Sequence, residues 1–530
     1  MSTAVALSAE QAVWKPKVNP WTIGVVVSLA AFMEVLDTSI ANVALPYIAG
    51  NLGASNDEST WVLTTYLVAN AIVLPMSGFL VGWLGRKRFF MTCIVFFTLS
   101  SFLCGIAPSL GLLLLFRVMQ GTFGGGLQPM VQAILTDTFP PEKRGMAFAL
   151  YGITMVCAPA IGPTLGGWIT DNYSWRWIFY INVPVGILAT LLVYQLLEDP
   201  PYLSRLKTSI ARFDYIGFTL LVLGVSALQI TLDKGQEDDW FGSRFITTLI
   251  VIAAVSLVSL VAWEWFHKEP LVDVQLFKIF NFASCNLMFF ALGVALLGGT
   301  VLIPLFLQTL MGYTAEIAGL VLSGSAVLLL LLIPLVGRLT SRFQSRHLIA
   351  FGWITMALGM FISCKQIDTL ISFRAASWLR IVQYLPVGFL MVPITASGYV
   401  GISKEKTNAA AGLMNFTRNI GMSVGTSAVT TLITRRSQYH QSVLAEHTRS
   451  GRFDAAVAGL ANRLTHAGLN MHLAHEQALG RMYVMLGAQA QALSYVDVYW
   501  LFTVMCLLMF CLSFLLEKNT PGEGEVGPVH

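Results

Sequence analysis

Charge is scarce in this sequence: Asp, Glu, Lys and Arg make up 11% of its 530 residues, where a soluble domain carries about 25%. That scarcity excludes a soluble enzyme, and the 55% apolar content and mean hydropathy of +0.69 point to a membrane. The net charge of +4 is spread over short loops and builds no basic face, so no nucleic-acid partner is expected. Cysteine is no framework either: Cys93, Cys104, Cys157, Cys285, Cys364, Cys506 and Cys511 all lie in or beside apolar runs. No G-x-x-x-x-G-K-[ST] loop is present, which excludes an ATP-driven pump within this chain. The zinc-protease pair H-E-x-x-H is missing too. The reading is therefore not an enzyme, with no catalytic residue, metal or cofactor assigned. His466, His472 and His475 are read as lying on the polar faces of amphipathic helices, with metal binding as the other reading. A cleavable signal peptide is not expected, because the first apolar run is too long and lacks a small-residue end. Lys15 and Lys17 precede that run, as in a signal anchor whose N-terminus stays in the cytoplasm.

What is there is apolar length. About fourteen runs of 18–28 residues recur, from 22–46 to 494–516, each long enough for one helix through a bilayer core of roughly 30 Å. The fold expected is an all-α polytopic membrane protein in contact with the lipid bilayer. Loops assigned inside hold Arg86, Lys87, Arg88, Lys143, Arg144, Arg205, Lys207, Arg212, Lys268, Lys278, Arg338, Arg342, Arg346, Lys404 and Lys406. The short outside loops hold only Arg176, Lys234, Arg244, Lys365 and Arg374, an asymmetry that places both termini in the cytoplasm. The segment 434–493 is long and polar and is read as an outer loop with short amphipathic helices; the tail 517–530 is read as disordered. Arg117-x-x-Gln120 recurs as Arg380-x-x-Gln383. Two six-helix halves, 1–200 and 281–516, flanking a two-helix insert at 201–280, account for the echo.

The run Trp21–Pro46 holds Glu34 and Asp37 near its middle, three residues apart and so on one helical face. A carboxylate at that depth costs about 2.5–3.5 kcal/mol on insertion scales, so it needs water, a partner or a proton. One reading places the pair on a polar cavity in proton-coupled transport; the other lets both acids snorkel to the surface. Arg117 and Arg380 lie within later spans, where arginines face the bundle interior. Arg117 is the candidate to neutralise Glu34 or Asp37 or to tune their proton affinity, unless it forms only a static pair holding helices together. Arg418 lies within its span or near the cytoplasmic end of it. The fifth span contains Pro159, Gly162, Pro163, Gly166 and Gly167; small residues four apart admit a neighbouring helix and prolines bend the chain, as a gate requires.

These stretches resemble the major facilitator superfamily, and within it the fourteen-span drug:proton antiporters of the EmrB/QacA type. LDTSIANVALP (36–46), FRVMQG (116–121), APAIGPTLGGW (158–168), NYSWRWIFYINVPVG (172–186) and LQITLDKGQEDDWF (228–241) carry the match. The family's loop after its second helix runs G-x-x-x-D-R-x-G-R; here Gly78, Gly85 and Arg86 remain, while Gly82 and Trp83 replace the acid and arginine. Lipid headgroups or helix C-termini are the expected contacts of Arg86, Lys87 and Arg88. The resemblance implies the major facilitator fold and exchange of protons at Glu34 or Asp37, biased by Arg117, for small amphipathic substrates. It implies a cell inner membrane location and, from the 434–493 loop, a periplasmic adaptor protein and an outer-membrane channel as partners; the same loop is otherwise only a lid. An exporter of one metabolite, fatty acid or siderophore is the alternative on the same fold.

Overall fold

The computed structural model describes residues 16–200, 213–368, 371–448 and 451–518. Lys15, Arg205, Lys207, Arg212 and the tail beyond Lys518 lie outside these ranges. Among the described residues the regular structure is helical throughout.

The first half contains α1 (Pro20–Leu52), α2 (Asn56–Leu84), α3 (Arg86–Ile106), α4 (Leu110–Gly124), α5 (Leu127–Thr138), α6 (Pro141–Asn172), α7 (Trp177–Tyr180) and α8 (Asn182–Leu196). Two inserted helices follow, α9 (Tyr215–Lys234) and α10 (Arg244–Phe266). The second half contains α11 (Phe280–Thr309), α12 (Ala315–Thr340), α13 (Ser345–Gln366), α14 (Phe373–Tyr384), α15 (Pro386–Gly398), α16 (Thr407–His447), α17 (Gly451–His466) and α18 (Met471–Ser513). Helix ends follow local chemistry. Asn19 caps α1 ahead of Pro20, which has no amide hydrogen to lose, and Gly53 closes that helix at φ +64°. Ser55 and Glu58 form a reciprocal capping box on α2.

Thirteen stretches among the described residues are long and apolar enough to cross a membrane; in these, α4–α5, α7–α8 and α14–α15 each count as one broken span. The remaining expected segment, 408–433, lies in α16, which has the length but not the apolarity. Its polar residues Asn408, Asn415 and Arg418 are turned inward and buried, so composition alone misses it. The apolar surplus faces outward, as with Val251, Val255 and Val258 on α10, which are 56–71% exposed and suit a lipid surface.

The halves meet where α2 packs on α16 and α6 on α12. At the end carrying the basic loops this seam is tight. A Cβ on Gly78 would fall 2.7 Å from the Cβ of Ala409, and one on Gly145 would fall 2.7 Å from the carbonyl oxygen of Gly337. Toward the opposite end, Gly167 on α6 and Gly319 and Gly324 on α12 have nothing within 4 Å of such a position. The insert straddles the α2–α16 seam: Lys234 Nζ donates to Thr60 Oγ1 at 2.6 Å and Gln229 Nε2 to Ser423 Oγ at 2.8 Å.

The segment 434–493 differs from the expected run of short helices. α16 continues unbroken to His447 and α18 begins at Met471, so both are membrane helices extended outward, and only α17 is short. Neither extension contains proline, and adding a residue to an existing helix is far easier than nucleating a new one. Val457, Ala461, Leu464, Ala474 and Ala478 form a small core between α17 and α18.

Gly78→Leu is expected to push α2 from α16 and destabilise the protein by about 1–3 kcal/mol, whereas Gly50→Leu, at a position with nothing within 4 Å, changes little. Thermal unfolding of the detergent-purified protein followed by size exclusion checks this.

Candidate functional site

Glu34 and Asp37 are both buried, 3% and 2% exposed, which rules out snorkelling to water for either. Arg117 settles on Asp37. Its Nη1 lies 2.6 Å from Asp37 Oδ2, while Gln120 Nε2 and Asn182 Nδ2 donate to Asp37 Oδ1 at 2.8 and 2.6 Å. The guanidinium also donates through Nε to the carbonyl of Val62 at 3.0 Å and stacks over the ring of Tyr66 at 4.3 Å. Ser101 on α3 supports Asn182 at 3.0 Å. One carboxylate thus ties α1 to α4 and α8, with a cation and two amides satisfying it in low dielectric.

Glu34, one turn earlier, has different surroundings. Tyr66 Oη and Asn70 Nδ2 each donate to its Oε1 at 3.1 Å, and Gln128 Nε2 donates to Oε2 at 2.5 Å. All three donors are neutral, and among the described residues no cation touches Glu34. Tyr66 joins the two acids: its ring carries Arg117 and its hydroxyl reaches Glu34.

The Glu34 cluster continues into the second half. Gln128 Oε1 accepts from Arg418 Nη2 at 2.5 Å and from Tyr151 Oη at 3.2 Å. Asn419 donates to Asn70 Oδ1 at 3.3 Å, and one turn from Gln128 along α5, Gln132 exchanges hydrogen bonds with Asn415 at 3.0 and 3.3 Å. Arg418 is therefore buried in the first third of α16 and faces the first half. Tyr66, Asn70, Gln128, Gln132 and Asn415 were not singled out from sequence; uncharged polar residues within apolar spans were their only signal.

Gly162 and Gly166 bring α6 onto α1 beside the acids. A Cβ at Gly162 would meet Ser39 Oγ at 2.3 Å, and one at Gly166 would meet Ile40 at 3.1 Å. Gly167 makes no such contact, and Pro159 and Pro163 lie on the exposed side of a helix that runs unbroken through both. In the loop motif, Gly85 sits at φ +85°, a conformation glycine adopts without strain. Arg86 departs from the lipid-facing reading: it is 2% exposed and pairs with Asp137 at 2.6 Å. Asp137 lies 51 residues further along the chain, a separation over which sequence spacing gives no pairing signal. Lys87 does reach a helix end, donating to the carbonyl of Tyr194 at 2.7 Å.

Arg380 is buried at 3% exposure on α14, donating to Gly299 O at 3.0 Å and Thr300 Oγ1 at 2.8 Å. A G-x-S-x-G string occurs at Gly421–Gly425, but it lies inside α16 and Ser423 bonds Gln229, unlike the strand-to-helix turn a nucleophile needs. His466, His472 and His475 are exposed on α17 and α18, and among the described residues no cluster of three His, Cys, Asp or Glu side chains could hold a metal.

Two helical halves meeting over buried, hydrogen-bonded charge form the architecture of a polytopic membrane carrier. The chain belongs to the Major Facilitator Superfamily, which it matches over residues 27–426. It is 36% identical to the multidrug export protein EmrB of Escherichia coli K12 over 506 residues, covering 96% of this chain and 97% of that protein. It is 42% identical to the multidrug export protein EmrB of Haemophilus influenzae over 421 residues, covering 79% and 82%. The solved structure of the proton:xylose symporter XylE shares the fold, with a TM-score of 0.61 at 14% identity over 95% of this chain and 97% of that one.

Asp37→Leu leaves Arg117 buried and unpaired and is expected to cost about 3–5 kcal/mol of stability, most of it recovered in Asp37→Leu/Arg117→Met. Thermal melts of the three proteins check the pairing.

Proposed function

We propose that this chain is a proton-driven exporter of small amphipathic drugs and toxic compounds, and that Glu34 carries the proton. The observation that supports this reading is the contrast between the two acids: Asp37 has a guanidinium at 2.6 Å, whereas Glu34 has neutral donors only. Of two buried carboxylates, the one with no cation in contact is the one whose charge costs most. In this reading Asp37 and Arg117 form a fixed pair that shapes the site through Tyr66, and Glu34 exchanges.

Protonation then has a mechanical consequence. A proton on Glu34 Oε2 removes the acceptor of Gln128 Nε2, and Gln128 turns away. Its carbonyl, which accepts from Arg418, turns with it, and the contact between α5 and α16 loosens. The tight seam at the basic end corresponds to a site closed toward the cytoplasm, and loosening it opens that side for substrate. An inward-negative membrane potential adds about 2.3 kcal/mol per charge per 100 mV to each cycle. The exporter resides in the inner membrane with both termini in the cytoplasm. The protruding α16–α18 helices are the docking site of a periplasmic adaptor that completes a path to an outer-membrane channel; Tyr483, Val484 and Met485 offer it exposed apolar surface.

Adding an exported cation to energised inverted vesicles is expected to dissipate the pH gradient with the native protein. Glu34→Gln, which keeps the hydrogen-bonding shape without the exchangeable proton, is expected to reduce that response to the level of empty vesicles while substrate still binds. A Glu34→Gln protein that exchanges protons normally would overturn the assignment.

A further inference from the structure

The Arg-x-x-Gln repeat places the two halves in structural correspondence at one point and shows what the second half lacks. Arg117 stacks over Tyr66 at 4.3 Å, and Arg380 stacks over Tyr384 at 4.4 Å. Gln120 reaches Cys104 on the third span of its half, and Gln383 donates to Ser363 on the corresponding helix α13 at 2.6 Å. Each arginine also addresses the first helix of its half: Arg117 meets Asp37 on α1, and Arg380 meets Gly299 and Thr300 on α11. Where the first half has a carboxylate, the second has a glycine and a hydroxyl. Among the described residues no carboxylate pairs with Arg380, and its buried Nε has no hydrogen-bond partner.

We propose that the space beside Arg380, Gly299 and Thr300 is an anion site, taking the singly charged oxyanion head of an amphipathic cargo or a free inorganic anion. A buried guanidinium without a counter-charge is costly, and an incoming anion removes that cost. A Cβ on Gly299 would lie 3.7 Å from Arg380 Nη1 and 3.8 Å from Met360 Cε, so the glycine leaves the guanidinium approachable to within ordinary contact distance. The same geometry allows a carboxylate placed on residue 299 to reach the guanidinium, as Asp37 reaches Arg117. The cargo form of this site rests on the export reading; binding itself does not, since it needs neither a gradient nor turnover.

The test uses the full chain in lipid nanodiscs and two amphiphiles of equal chain length, dodecanoate and dodecyltrimethylammonium, in gluconate buffer. Gly299→Asp is expected to weaken dodecanoate binding about tenfold or more, the scale of losing one charge-assisted contact, and to leave the cation's binding within about twofold. Gly299→Ala, which adds a methyl in ordinary contact with the guanidinium and no charge, is expected to weaken dodecanoate binding less than Gly299→Asp does and to leave the cation's binding unchanged, and Arg380→Gln to reproduce the loss seen with Gly299→Asp. Titrating chloride identifies the source: a chloride-dependent rise in melting temperature, absent in Gly299→Asp, with dodecanoate ineffective, assigns the site to a free anion. The proposal falls if Gly299→Asp binds dodecanoate and chloride as the native protein does, or if Gly299→Ala loses as much as Gly299→Asp. Failure of Glu34→Gln to uncouple protons would leave these binding results untouched.

Discussion

The ion pair between Asp37 and Arg117 is the interaction on which the rest of the site depends. It fixes three elements of the first half around one carboxylate, and it settles which of two neighbouring acids keeps a permanent counter-charge. Because Arg117 also lies on Tyr66, the pair holds the phenol that donates to Glu34. In the proposed mechanism, static pairing and proton exchange, which the sequence presents as rival roles for one arginine, are divided between two acids three residues apart. The first is structural, and the second is left with partners that only hydrogen-bond.

Around that point the halves are joined by two kinds of contact. Near the basic end the joint is backbone against backbone, with glycine or alanine at Gly78, Ala409, Gly145 and Gly337 where larger side chains would separate the helices. At mid-depth it is a set of polar pairs: Gln128 with Arg418, Gln132 with Asn415 and Asn70 with Asn419. Close packing of small residues responds to shape, and polar pairs respond to charge. The Asn70–Asn419 pair and the Gly78–Ala409 contact lie on the same two helices, α2 and α16, so the polar cluster around Glu34 has a short path to the packed seam.

Much of this was legible in the sequence. The acids in the first span stand out because charge inside an apolar run is costly, and the Arg-x-x-Gln echo marks two arginines that each stack on a tyrosine. Partners were less legible than principals. Asn70, Gln128 and Asn182 are uncharged, and their importance comes from which helix face they occupy, a property set by packing between distant segments. Arg86 illustrates the same limit: its basic neighbours suggested a headgroup contact, and only the fold brings Asp137 to it. The outer segment departs from its sequence pattern for another reason. Hydropathy marks where a helix leaves the lipid, but the backbone hydrogen-bond ladder has no reason to stop there, so α16 and α18 run on as single rods.

That continuity gives α16 leverage. It is a rod of 41 residues, about 62 Å at 1.5 Å per residue, clamped at its foot by Gly78 and crossed near its first third by Arg418. Swinging such a rod by about 5° about its foot carries its far tip about 5 Å sideways, while the foot itself scarcely moves. A small rearrangement around Arg418 is thus amplified, without any further joint, into a displacement of several ångströms at the far tip of the rod.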